Sequence, residues 1–176
     1  LKASNIKMFK YDWIWEKNIS TNFLHSKTQP LRKHELISVF YNKCGRYYPI
    51  KTTGHKPTQS AKKTSNGKIY HKNNKPEYIG GSTERFPNTI LKFDVVDIKK
   101  RINSTQKPVE LIEYLVKTYS NEGEVILDFT MGSFTTGIAC LNTKRSFIGI
   151  ELDKNCYKLG KERFLEWKLE EQGTQI

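Results

Sequence analysis

The sequence predicts an α/β fold, and three observations carry that prediction. Strand-like and helix-like segments alternate along the C-terminal part of the chain, and a glycine loop, MGSF, directly follows the first of those strands. A carboxylate, Glu151, closes the second strand about 20 residues further on, the spacing at which α/β folds receive a nucleoside. A chain of 176 residues is long enough for one globular domain with its own core.

Taken in order, YDWIW (residues 11–15) and ELISVFY (residues 35–41) alternate well enough for strands, with a basic, turn-rich connection between them. Residues 42–103 contain KTTGHKPTQSAKKTSNGK and PEYIGGSTERFPN, a stretch rich in Gly, Pro, Ser, Thr and Lys. An irregular stretch of that length inside a compact domain is either functional or a solvated linker. Pro108 suits a first helical turn, Leu111, Ile112, Leu115, Val116 and Tyr119 recur at helical spacing, and Asn121 and Gly123 end the helix.

EVILD (residues 124–128) is short, apolar and β-branched, which reads as a buried strand. Residues 135–142 follow as a short helix and SFIGIE (residues 146–151) as a second buried strand. Asp153 caps a last helix on which Tyr157, Gly160, Phe164 and Trp167 share a face. Strand, glycine loop, helix, strand and helix make a βαβ unit. Its right-handed crossover sets the two strands parallel, with the loop at their C-terminal ends, where such sheets bind ligands.

Composition narrows the partner. Hydrophobic residues are 36 % and charged residues 27 %, and 30 Lys and Arg against 18 Asp and Glu give a net charge of +12 and a pI near 9.6. That balance favours a polyanion, nucleic acid ahead of an acidic membrane surface. The sequence has neither an apolar run of ~18 residues nor a signal peptide, so a soluble, intracellular protein is expected. Cys44, Cys140 and Cys156 are odd in number and widely spaced, which predicts reduced thiols. His25, His34, His55 and His71 lack zinc-ligand spacing, so no metal site is expected.

The segment from Leu127 to Glu151 carries the ligand chemistry. Gly132 lets backbone approach a ligand, the helix N-terminus after it offers unpaired amides, and Glu151 is placed to take two ribose hydroxyls. This logic fits an adenosine cofactor without choosing between NAD and S-adenosylmethionine.

The run from Ser104 to Asp153, STQKPVELIEYLVKTYSNEGEVILDFTMGSFTTGIACLNTKRSFIGIELD, resembles the amino-methylating DNA methyltransferases. The likeness is to phage-like members whose order is catalytic region, target-recognition region, cofactor loop. It extends to YDWIWEK, PLRKHELISVFY, KTTGHKP and GGSTERFPNTILKF, hence over nearly the whole chain. The resemblance implies a partial Rossmann-like S-adenosylmethionine methyltransferase fold with a basic target-recognition insertion. Its parts would be a remnant of the catalytic-half sheet (1–41), the insertion (42–103) and a cofactor-binding βαβ region (104–176). Thr105 and Lys107 of TQKP would lie near the methionine carboxylate of S-adenosylmethionine. Asp128, Thr130, Gly132, Ser133 and Thr135 would line its methionine end, Glu151 would bind the ribose, and Leu152 would sit beside the adenine.

Two departures from the family pattern stand out. Phe134 occupies a place where a second glycine is expected, and a positive φ there is costly for a side chain with a ring, so weakened cofactor binding is expected. The alternative is a negative φ with the ring packed between helix and sheet. The family's catalytic tetrapeptide, an acidic residue, Asn or Ser followed by Pro-Pro and an aromatic, is absent, since no two prolines are adjacent. That element aims the target amino group at the methyl donor. No catalytic residue is therefore expected in this chain. A front segment, a second chain or a homo-oligomer would complete the site, and the sheet without its catalytic half would expose apolar edges and faces.

Double-stranded DNA is the expected partner, and the cytoplasm of a bacterial or phage-infected cell the expected location. Lys51, His55, Lys56, Lys62, Lys63, Lys68, Lys72, Lys75 and Arg85 crowd the middle segment, with Tyr47, Tyr48, Tyr70 and Tyr78 interleaved. Cations position phosphate, and aromatics stack. Arg32 and Lys33 lie with Trp13 and Trp15 in the adjoining framework and join the expected DNA contacts. Two readings follow: a methyltransferase of an exocyclic amino group, adenine ahead of cytosine, or a catalytically inactive DNA-binding or regulatory remnant of one.

Overall fold

The computed structural model describes residues 2–43, 45–59 and 80–173. Cys44, Lys62, Lys63, Lys68, Tyr70, His71, Lys72, Lys75 and Tyr78 lie outside them. The chain divides into two compact units, Pro49–Pro87 and the remainder.

The larger unit begins with the long strand β1 (Phe9–Thr21), antiparallel to β2 (Arg32–Phe40) and parallel to the three-residue β3 (Ile90–Lys92). Successive side chains of a strand point to opposite faces, so Trp13, Trp15 and Lys17 share the buried face of β1. Trp13, Trp15, Leu91 and Leu111 form a core ringed by Ile37, Val39, Phe93, Tyr114 and Leu115. Buried indoles need an acceptor: Trp13 Nε1 donates to the Tyr119 hydroxyl and Trp15 Nε1 to the Phe93 carbonyl at 2.8 Å. Strand β1 runs beyond the expected 11–15 at both ends, β2 starts before the expected 35–41 and stops one residue short of it, and β3 lies in a stretch read as irregular. With one buried side chain, Leu91, β3 is too short to show an alternation.

Helix α1 (Val109–Tyr119) starts where Pro108 ends the extended chain, since proline at φ −66° feeds a helix and has no N–H to leave unpaired. It buries Leu111 and Val116. After it come β4 (Val125–Asp128), α2 (Thr135–Asn142), β5 (Ser146–Gly149) and α3 (Lys154–Gly173). The strands β4 and β5 are parallel with Leu127 opposite Ile148, the geometry a βαβ crossover demands. The Asp153 carboxylate accepts from the Cys156 amide at 2.7 Å and so caps α3.

The expectation that β4 and β5 are buried strands requires correction. One face, with Ile126 and Phe147, is half-buried, whereas the other is open: Val125 is 60 % exposed, Leu127 57 %, Phe129 71 %, Ile148 54 % and Ile150 54 %. Among the described residues, β4 has a strand neighbour on one side only. A parallel strand is apolar on both faces because both are normally covered. Here the composition of such a strand is present and one cover is not.

In the smaller unit, Thr52 and Arg85 form an antiparallel bridge through reciprocal backbone hydrogen bonds of 3.0 and 2.8 Å. The amides of His55 and Thr58 extend the pairing to the carbonyls of Thr83 and Ser82. Among the described residues, no helix is long and apolar enough to cross a membrane.

Candidate functional site

The loop between β4 and α2 is shaped by its side chains. Asp128, at the end of β4, accepts from the Thr130 amide at 3.0 Å and from the Thr136 hydroxyl at 2.6 Å, tying strand end to helix start. Gly132 adopts φ +52°, a conformation that favours glycine, and its amide donates to Glu151 Oε2 at 2.9 Å. Glu151 Oε1 accepts from the Asp153 amide at 2.9 Å. A carboxylate has about four lone-pair sites, so two remain to accept from a ligand's hydroxyls.

A cavity of about 370 Å³ opens beside this loop, within the range of small-molecule sites. Seven of the expected cofactor residues line it: Thr105, Lys107, Asp128, Thr130, Gly132, Ser133 and Thr135. Glu151 is joined to the lining through Gly132, and Leu152 next to it is 96 % exposed. Asn103, Gln106 and Thr136 complete the polar wall. The sequence reading missed Asn103, whose one local signal is the Asn-Ser-Thr run that suits an Asx turn: its carboxamide oxygen accepts from the amide and hydroxyl of Thr105, both at 2.9 Å.

Lys107 stands two residues before α1 with its ammonium 2.7 Å from Glu35 Oε2 and 5.5 Å from the centre of the Trp15 ring. Glu35 lies opposite Trp15 in the β1–β2 register, and its other oxygen is 3.5 Å from Lys17 Nζ. Burial alone would raise the Glu35 carboxyl, but the hydrogen bonds and charges of Lys107 and Lys17 outweigh it and hold it below the ordinary carboxylate value.

Phe134 takes φ 59° and ψ 22° at the start of α2. The positive φ expected for this position is present although the residue is not glycine. Its ring is absent from the cavity wall and packs against Phe147, Tyr157 and Phe164 at 5.8 to 6.1 Å between centroids. Helix α3 meets the loop at Gly160, where a Cβ would come within 2.8 Å of the Gly132 carbonyl oxygen. From the same helix Arg163 donates to the Ser133 carbonyl at 2.7 Å and to the Thr135 hydroxyl at 3.1 Å, and burial lowers its pKa. Arg163 left no signal in the sequence, because its role depends on how α3 lies against the loop.

The expected DNA contacts fall in both units. Arg32 and Lys33 are exposed on β2, Lys33 being 3.5 Å from Glu16. In the smaller unit Lys51 pairs with Glu84 at 2.7 Å, His55 Nε2 lies 2.6 Å from the Thr52 hydroxyl, and Lys56 is exposed. Arg85 is turned inward, donating to the carbonyls of Ser82, Glu84 and Lys56.

The sequence profile of the N6/N4 DNA methylase family matches residues 2–162. The DNA adenine methyltransferase YhdJ of Escherichia coli (strain K12) is 42 % identical over 59 residues, 34 % of this chain and 20 % of that protein. The type II methyltransferase M.HpaI of Haemophilus parainfluenzae is 35 % identical over 80 residues, 44 % of this chain and 26 % of its own length. Among solved structures, the M1.HpyAVI-SAM complex superimposes with a TM-score of 0.55 at 24 % identity, covering 88 % of this chain and 61 % of that one. The matched regions thus span about a quarter or less of these curated relatives, and 61 % of the solved structure.

Proposed function

Because the chain belongs to the N6/N4 DNA methylase family, we propose that it is the cofactor-binding and target-recognition portion of an S-adenosylmethionine-dependent DNA methyltransferase. Its target is an exocyclic amino group, adenine ahead of cytosine, in keeping with the adenine enzyme among its relatives. The observation that carries the reading is the cavity at the C-terminal end of β4, where a cation, hydroxyls, a carboxylate and a positive-φ glycine converge.

The donor set fits S-adenosylmethionine. Lys107 and Thr105 suit the methionine carboxylate, the Asp128 carboxylate suits the cationic part of the molecule, and Ser133 and Thr135 supply hydroxyls. Glu151 keeps acceptor capacity for the ribose, with Leu152 beyond it for the adenine face. Bound there, the cofactor supplies an electrophilic methyl group. Arg163 and the aromatic packing of Phe134 hold the loop, and since that ring lies off the cavity wall it leaves the cofactor's space open.

The sequence contains no such tetrapeptide to aim an amino group, so in an active enzyme that element would come from outside these 176 residues. The open face of β4 and β5, with an edge of β4 that is unpaired among the described residues, supports docking of a further segment or second chain that carries it. Arg32, Lys33, Lys51, His55 and Lys56 belong to the DNA-facing set, Arg32 and Lys56 as exposed cations, while Arg85 braces the smaller unit instead of reaching DNA itself.

Calorimetry with S-adenosylmethionine and transfer of labelled methyl to duplex DNA test the reading. Cofactor binding without transfer is expected from this chain, with transfer restored by a polypeptide bearing the tetrapeptide. Transfer by the chain alone overturns the argument about the tetrapeptide. DNA binding with no cofactor binding establishes the inactive remnant instead.

A further inference from the structure

Lys107 does not face the cavity as an isolated cation. Its ammonium is bonded to Glu35, whose second oxygen faces the ammonium of Lys17, and Lys17 is only 7 % exposed. Two cations share one anion. Lys107 lines the cavity, whereas Glu35 and Lys17 stand behind it and are absent from the wall. A lysine almost never lies so deep without a partner. Lys17 is there because strand alternation continues the Trp13–Trp15 face for one more position.

With Glu35 and Lys107 alone the group would carry no net charge, and Glu35 behind the ammonium would offset much of its attraction for a ligand carboxylate. Lys17 restores one net positive charge. Cation contact with the Trp15 ring and the hydrogen bond to Glu35 together fix the Lys107 ammonium, leaving its remaining protons to donate. We propose that Lys17 and Glu35 are positioning residues that act through Lys107, setting the charge and the place of the ammonium that receives the carboxylate of an amino-acid-bearing cofactor. This rests on the reading of the cavity as the S-adenosylmethionine site.

The test compares two probes by calorimetry on the whole chain, S-adenosylmethionine and its decarboxylated analogue, which differ in that carboxylate. The preference for the carboxylate-bearing probe is expected to fall about fivefold in Lys17→Met and to rise about fivefold in Glu35→Gln, the effect of one charge at ~8 Å in an effective dielectric of ~40. A role confined to packing would shift neither preference, or would move both variants the same way. Either result overturns the proposal while leaving the cofactor reading intact. Failure of the unsubstituted chain to bind either probe removes the cofactor reading, and this inference with it.

Discussion

Replacing Phe134 by alanine and by glycine separates the two things this residue does. Both variants lose the ring contacts with Phe147, Tyr157 and Phe164. Deleting a fully buried Phe side chain costs ~3–5 kcal/mol, and the half-buried Phe134 about half of that. Alanine keeps a Cβ at φ 59°, which costs ~1–2 kcal/mol in the left-handed region, whereas glycine does not. Against this, glycine's freer unfolded chain costs ~0.4–1 kcal/mol. The difference leaves Phe134→Gly more stable than Phe134→Ala by about 0.5–1 kcal/mol, the reverse of the order usual at a helix, with both below the unsubstituted chain. Urea unfolding followed by tryptophan fluorescence measures it. Alanine equal to or above glycine would refute the left-handed conformation. Calorimetry on Phe134→Gly is expected to show cofactor affinity unchanged, because the ring is not part of the cavity wall.

The open face of β4 and β5 predicts that the pair Leu127→Glu and Ile148→Lys, opposite each other in register, lowers self-association in sedimentation velocity without lowering the unfolding temperature. A loss of stability instead would place that face inside a covered core. For Glu35, whose folded pKa is depressed, the stabilisation is present above the unfolded value of ~4.3 and is lost as pH falls through the lower folded value. The stability gap between the unsubstituted chain and Glu35→Gln is therefore expected at pH 7 and should close in acid. A gap that persists to the lowest pH would show that the Glu35 charge is not what stabilises.

The βαβ region was legible because its signals are local. The bounds of α2, the parallel pairing of β4 and β5 and the Asp153 cap follow from short-range patterns and one handedness rule. Strand β3 was not legible, since three residues whose only buried side chain is Leu91 take their conformation from the edge of β1. Lys107 was found through the motif around it, but its partners Glu35 and Lys17 lie 72 and 90 positions earlier and are brought to it by the β1–β2 register. Arg163 and Gly160 acquire their roles from the approach of α3 to the loop, a distance that no spacing encodes.

The sequence by itself determined the α/β class, the basic character of the chain, the family resemblance and most of the cavity wall, because a strand, a tight turn and a helix start within a few residues and leave fixed offsets. Tertiary structure alone decided two matters. The Phe134 backbone kept the glycine-like conformation while its ring found an aromatic pocket away from the cavity, which only the packing of α3 and β5 makes available. And the structure located the apolar faces that the sequence expected to be exposed on β4 and β5, because burial is a property of what lies across from a strand and not of the strand's own residues.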